Sequence, residues 1–196
     1  MTFSKRAKTI VAGLVSAGLM GGAAAAAPQG GAAAEGGERA EIAAVLDAGR
    51  SLADAARTAE ETGGGRAFEA SLEDEDGALV WEISTLKGDA LVEYAIDPAS
   101  GEIVETEEEG FLSKLSRDDD EEAAALAAAG VGLTEAIAAA EAETGGRAME
   151  AELEAEDQGP VWEVETASAE GGVVKVWVDA GSGAVLKTGA AEGDDD

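Results

Sequence analysis

The sequence predicts an α+β fold: two tandem repeats, each a helical hairpin packed on one face of a three- to four-stranded antiparallel sheet. Two observations carry the expectation. Sliding the chain by 81 positions superposes Arg66-Ala67-Phe68-Glu69-Ala70 on Arg147-Ala148-Met149-Glu150-Ala151, and Val80-Trp81-Glu82-Ile83 on Val161-Trp162-Glu163-Val164. Such self-similarity marks a duplicated structural unit. Within each copy the apolar period then switches from 3.6 to 2, which separates a helical half from a strand half.

Each unit opens with a short Ala-rich segment (Ile42 to Ala48; Ala123 to Ala129) that stops at Gly49 or Gly130. A second helix follows, with Leu52, Ala55, Ala56 and Ala59 on one stripe, matched by Leu133, Ala136, Ile137 and Ala140. Ser51 with Asp54 three residues on has the spacing of a capping box, and Gly63 to Gly65, or Gly145 and Gly146, supply the stop. Beyond the glycines, Phe68, Ala70 and Leu72 alternate with Glu69, Ser71 and Glu73, and Trp81 and Ile83 alternate with Glu82 and Ser84. Val92, Tyr94 and Ile96 share one face of a third strand, and Asp97-Pro98-Ala99-Ser100-Gly101 turns into a fourth, Glu102 to Thr106. One residue inserted near Glu170 to Gly172 keeps the second copy in step, so that Val178-Asp179 matches Ile96-Asp97.

The N-terminus has a different character. Lys5, Arg6 and Lys8 precede an apolar run from Thr9 to Met20, then Gly-Gly and alanines to Ala27, the order of a secretory signal peptide. The run is shorter than the roughly 20 residues of a spanning helix. No Cys follows it, which argues against a lipid anchor, and export to the periplasm or medium is expected. The resulting organisation is a signal peptide (1–27), a flexible linker (28–37), repeat 1 (38–108), an acidic linker (109–120), repeat 2 (121–190) and an acidic tail (191–196).

Composition narrows function. The chain carries 42 Asp plus Glu against 13 Lys plus Arg, a net charge of -29, with no Cys and no His. Three of the basic residues belong to the signal and none of the acidic ones do. Nucleic-acid binding needs a positive face to displace phosphate counterions, so it is excluded. The His and Cys ligands on which zinc, haem and iron–sulfur sites rely are absent, and without them neither Ser-His-Asp nor Cys-His catalysis is available. No cofactor is implied.

A helix with an Ala-rich stripe, a Gly-Gly-Arg break, an acidic hairpin, a Val-Trp-Glu-Ile or Val-Trp-Glu-Val strand, and a strand ending Asp-x-x-x-Gly resembles the PepSY domain, in Val80 to Gly101 and again in Val161 to Gly183. The resemblance implies an exported, non-enzymatic module, with an inhibitory role in the propeptides of thermolysin-type metallopeptidases. The layout is also similar to β-lactamase inhibitory proteins, which bind with exposed sheet faces. Neither resemblance supplies catalytic residues.

The acidic clusters invite a cation. Glu73-Asp74-Glu75-Asp76-Gly77 offers oxygen ligands for calcium, but aligning Gly77 with the loop glycine of an EF-hand puts Leu72 and Ile83 at ligand positions. Asp118-Asp119-Asp120-Glu121-Glu122 precedes a helix, where negative charge suits the dipole. No metal-binding or catalytic residue is assigned, and low-affinity divalent-cation binding is the alternative function. The aromatic residues divide more usefully. Trp81 and Trp162 fall on inward positions as core anchors, whereas Trp177, with Val173 and Lys175, falls on the outer sheet face, joined by Val161 and, in the first copy, Val80. These five are the expected contact residues for a protein or peptide partner with a basic face. The opposing expectation is that the other sheet, or Phe111-Leu112-Leu115, covers Trp177.

Overall fold

The computed structural model describes residues 31–190 apart from 76, 89, 110–116 and 171. The segment expected to be a signal peptide (1–27), residues 110–116 of the expected central linker and the tail (191–196) lie outside the described residues. Each repeat runs helix, helix, four strands. The first comprises α1 (Gly31–Asp47), α2 (Leu52–Gly63), β1 (Arg66–Glu75), β2 (Ala78–Lys87), β3 (Ala90–Ile96) and β4 (Ile103–Glu109). The second comprises α3 (Arg117–Ala128), α4 (Leu133–Thr144), β5 (Arg147–Glu156), β6 (Gly159–Ala167), β7 (Val173–Asp179) and β8 (Val185–Ala190). Helix α1 begins at Gly31, inside the segment expected to be a flexible linker, and Asp118 to Asp120 fall in the first turn of α3.

The local signals act as the sequence predicts. Ser51 Oγ accepts the Asp54 amide at 3.1 Å while Asp54 accepts the Ser51 amide at 3.3 Å, closing the capping box of α2. In α4 the cap residue is Gly132, and only the return bond survives, from its amide to Glu135 at 2.8 Å. Gly64 and Gly145 end the two helices in the left-handed conformation, with φ of 67° and 71°. All eight stripe residues of α2 and α4 are buried.

One expectation is corrected. Instead of two sheets of three or four strands, the eight strands form a single antiparallel sheet in the order β4-β3-β2-β1-β5-β6-β7-β8. The repeats meet edge to edge through three pairs, Glu69 with Glu152, Ala70 with Ala151 and Ser71 with Glu150. Since Ala70 and Ala151 are equivalent in the duplication, this register has a local two-fold axis through that alanine pair. Burial explains why the join exists. Each repeat alone would leave β1 or β5 as an unpaired edge and one side of its helix pair uncovered, whereas together they enclose one continuous core.

The axis has a second consequence. Arg66 donates across the junction to the carbonyls of Leu126 (2.6 Å) and Ala129 (3.3 Å) at the end of α3, and Arg147 donates to those of Leu46 and Ala48 (both 3.1 Å) at the end of α1. Each arginine therefore answers the orphan carbonyls and negative dipole end of a helix in the other repeat. Helix α1 accordingly packs on β5 and β6 and α3 reaches β1.

Both junction strands carry a bulge just after these arginines, between Ala67 and Glu69 in β1 and between Ala148 and Glu150 in β5. The bulged strand's amide is taken by a helix glutamate: Ala67 N donates to Glu60 at 2.9 Å and Ala148 N to Glu141 at 3.0 Å. Because of the bulge, Ala67 joins Ala70 in the core and Phe68 is buried between them in sequence, a departure from the strict alternation read for this strand.

Candidate functional site

The four described helices pack on one face of the sheet, which leaves its other face clear of helices among the described residues. On the covered face Trp81 and Trp162 are fully buried, and their indole N–H groups donate to the carbonyls of Arg50 (3.1 Å) and Val131 (3.3 Å) at the α1–α2 and α3–α4 turns. The core-anchor reading of both residues holds. Among the described residues no buried side-chain polar atom lacks a partner.

The open face is read directly from the strand register. One row crosses the whole sheet as Glu107, Glu93, Ser84, Glu69, Glu152, Glu163, Trp177, Lys187, and the next as Glu105, Ala95, Glu82, Ser71, Glu150, Glu165, Lys175, Gly189. Carboxylates dominate, and the two lysines lie at the β7–β8 end. Crowding is visible at Glu154, whose carboxyl is held above the usual range by burial first, then by the charges of Glu163 and Glu156, against the opposing pull of Lys175. A carboxyl raised in this way penalises the fold above its folded-state titration and ceases to do so below the unfolded value. Glu154→Gln is therefore expected to stabilise the protein at pH 7 by about 0.2–1 kcal/mol, the scale of a relieved cross-strand charge contact. The gain should vanish below roughly pH 4, as urea titrations at the two pH values would read.

Trp177 does lie on this face, half-buried. Its Nε1 donates to Glu163 Oε1, and the Lys187 ammonium stands 3.7 Å from the ring centroid, a cation–π contact. Gly189 gives the ring its room, since a Cβ there would sit 3.3 Å from it. Lys175 bridges Glu163 at 3.0 Å and Glu165 at 3.2 Å. Burial lowers the Lys175 ammonium's affinity for its proton, but the hydrogen bond to Glu163 and the two carboxylate charges outweigh that and hold its pKa above the ordinary lysine value. Lys175, Trp177, Glu163, Glu165 and Lys187 are thus one polar-aromatic cluster. The sequence reading found Trp177 and Lys175 but missed Glu163 and Lys187. Both were legible in principle, because Glu163 is the outward residue after Trp162 and Lys187 interrupts an edge strand.

The remaining expected contact residues separate. Val173 and Val161 are half-buried on the same face, Val161 beside Asp179 and Glu154. Val80 is 5% exposed and lies on β2, four strands from β7, roughly 19 Å away at the usual strand spacing. It belongs neither to an exposed surface nor to the Trp177 cluster. The segment Phe111-Leu112-Leu115, expected as a possible cover, lies outside the described residues.

On the first repeat the same face forms a shallow depression of about 140 Å3 lined by Glu75, Glu82, Glu93, Ala95, Glu105 and Glu107. The equivalents in the second repeat are Glu156, Glu163, Lys175, Trp177, Lys187 and Gly189. Duplication has given one backbone surface two chemistries: an acidic hollow on one half, and a tryptophan flanked by two lysines on the other. In the acidic hairpin, Asp74 accepts the Gly77 amide at 2.7 Å, where Gly77 has φ of 88°, so this carboxylate is engaged in forming the turn. Among the described residues no group of three or more potential ligands is arranged to hold a metal ion.

Fold and surface together define a duplicated helix-and-sheet module with one covered and one open, acidic sheet face. The family model described as "Peptidase propeptide and YPEB domain" matches residues 51–107 and 130–188. The chain belongs to the PepSY family, in two tandem copies. The chain is also similar to the crystal structure of a candidate lipoprotein from Clostridium difficile 630, at 18% identity and a TM-score of 0.45, over 74% of this chain and 95% of that one. No curated protein matches. No described helix is long and apolar enough to cross a membrane.

Proposed function

We propose that this protein is an exported, non-enzymatic binding module of the peptidase-regulating kind, which holds a protein or peptide partner against the open face of its sheet. The observation that carries the reading is that face itself: eight strands wide, without a helix on it among the described residues, and bearing a half-buried tryptophan within a field of carboxylates. Aromatic residues set in a polar surround are the usual anchors of protein interfaces. The charge supports a partner with a basic face, because a net -29 accelerates and orients the approach of cations while the apolar contact sets the lifetime. The PepSY match supports peptidases as the partner class. Export rests on the N-terminal charge and hydropathy order.

The experiment is affinity capture from the secreted or periplasmic fraction of the producing cell, with partners identified by mass spectrometry and Kd then measured. Trp177→Ala is expected to weaken the captured complex by roughly 10- to 100-fold, the scale of an interface anchor, with the circular dichroism spectrum unchanged. Undiminished affinity in a folded variant would remove Trp177 from the site.

A further inference from the structure

The two outer strands of the sheet, β4 and β8, occupy equivalent places in the duplication but differ in chemistry. β4 reads Ile-Val-Glu-Thr-Glu-Glu-Glu, whereas β8 reads Val-Leu-Lys-Thr-Gly-Ala and holds no carboxylate. Glu105, Glu107 and Glu108 of β4 correspond to Lys187, Gly189 and Ala190 of β8. Each edge also carries one of the two large apolar side chains that the core leaves out among the described residues, Val104 at 60% and Leu186 at 55% exposure. An edge strand offers a row of backbone donors and acceptors to another chain unless charge opposes it. Here β4 is guarded by like charge and β8 is not.

We propose that β8 is a self-association edge, and that a second copy of this chain pairs with it antiparallel about a two-fold axis at Thr188. That register sets Thr188 opposite Thr188 of the second copy, Lys187 opposite Gly189 and Leu186 opposite Ala190. Threonine faces threonine, the lysine meets no side chain, and the exposed leucine meets a small apolar partner. The same operation on β4, centred on Thr106, sets Glu105 against Glu107 and Val104 against Glu108, a like-charge arrangement that disfavours pairing. The molecule already contains a join of this kind, since β1 and β5 meet antiparallel about an axis through Ala70 and Ala151 with three paired positions. The pairing is isologous, so it closes at the dimer and gives a continuous sixteen-stranded sheet.

Long-range charge opposes the contact, with two bodies of net -29 approaching each other. Screening should therefore strengthen association, the reverse of an interface held by ion pairs. Sedimentation of the full chain at about 0.05 M and about 0.5 M NaCl is expected to show a monomer–dimer equilibrium that tightens at the higher salt by roughly tenfold. Leu186 and Ala190 are both exposed, so substitutions there leave the fold intact. Leu186→Glu with Ala190→Glu should weaken the dimer by roughly tenfold through two like-charge pairs, while Leu186→Lys with Ala190→Glu should restore or exceed the original affinity. A chain that stays monomeric at both salts, or a dimer indifferent to the Glu/Glu pair, overturns the proposal. So does association that weakens with salt, which points to β8 pairing with the acidic β4 edge instead. Neither result bears on the open-face reading, whose test uses Trp177.

Discussion

Trp162→Ala is expected to cost about 3–5 kcal/mol, a large share of the roughly 5–15 kcal/mol that holds an ordinary domain folded. The indole is fully buried, so its removal forfeits a large apolar area and leaves a cavity in a core that cannot collapse freely between a sheet and two helices. The Val131 carbonyl loses its donor as well, which adds part of the cost of a partly buried acceptor left without that partner. Trp81→Ala should behave alike, through the Arg50 carbonyl. The measurement is chemical denaturation followed by the fluorescence of the two remaining tryptophans, and a loss below about 1 kcal/mol in either variant would contradict the anchor role assigned to these residues.

The second large effect is expected at Arg147. Two charge-assisted bonds to helix-end carbonyls, at about 1.5–3 kcal/mol for a hydrogen bond to a charged group, put the loss for Arg147→Ala at roughly 2–4 kcal/mol after partial replacement by water. Arg66→Ala removes the matching pair on the other side of the junction. Because these contacts cross between repeats, the double variant should differ in kind as well as degree. Only three residue pairs and the shared helix layer then hold the halves, and the single unfolding transition is expected to split into two. Hydrogen exchange read strand by strand distinguishes this from uniform weakening. Retention of one sharp transition in the double variant would place the cohesion elsewhere, in the core beneath α1 and α3.

Much of this architecture is legible in the sequence. The Ala-rich stripes, the Ser51 cap, the glycine stops and the inward tryptophans all follow from short-range physics, in which the period of the apolar residues and the torsional freedom of glycine decide the outcome locally. The fusion of the two sheets was not legible. Glu69-Ala70-Ser71 and Glu150-Ala151-Glu152 alternate like any half-exposed strand, and nothing in that pattern states which neighbour lies on which side. The one sign was the pair Arg66 and Arg147, two cations retained at equivalent positions in a chain with few of them. Their partners are helix-end carbonyls in the opposite repeat, and a local reading of a Gly-Gly-Arg break could not reach that far. The bulges escaped for a related reason, since their amides are answered by Glu60 and Glu141 on the preceding helix and not by the strand pattern.

The site was legible in part. Counting period 2 along β7 put Trp177 and Lys175 on the outer face correctly, because both follow from the inward stripe of Val174, Val176 and Val178. It also put Val80 on the outer face, where it is nonetheless buried, because facing outward on a strand is not the same as being exposed among longer neighbours. What the sequence could not order was the row across strands. That row brings Glu163, Trp177 and Lys187 together from three segments, and only the pairing register decides it.

The central claim is that the partner sits on the open face and not on the helix layer. It is tested most directly by site-specific photo-crosslinking in the producing cell, with a benzophenone amino acid placed singly at Trp177, Glu152 or Glu165 on the sheet, or at Arg57 or Glu61 on α2. The account predicts one recurrent adduct from the sheet positions and none from the helix positions. Adducts confined to Arg57 and Glu61 would contradict it.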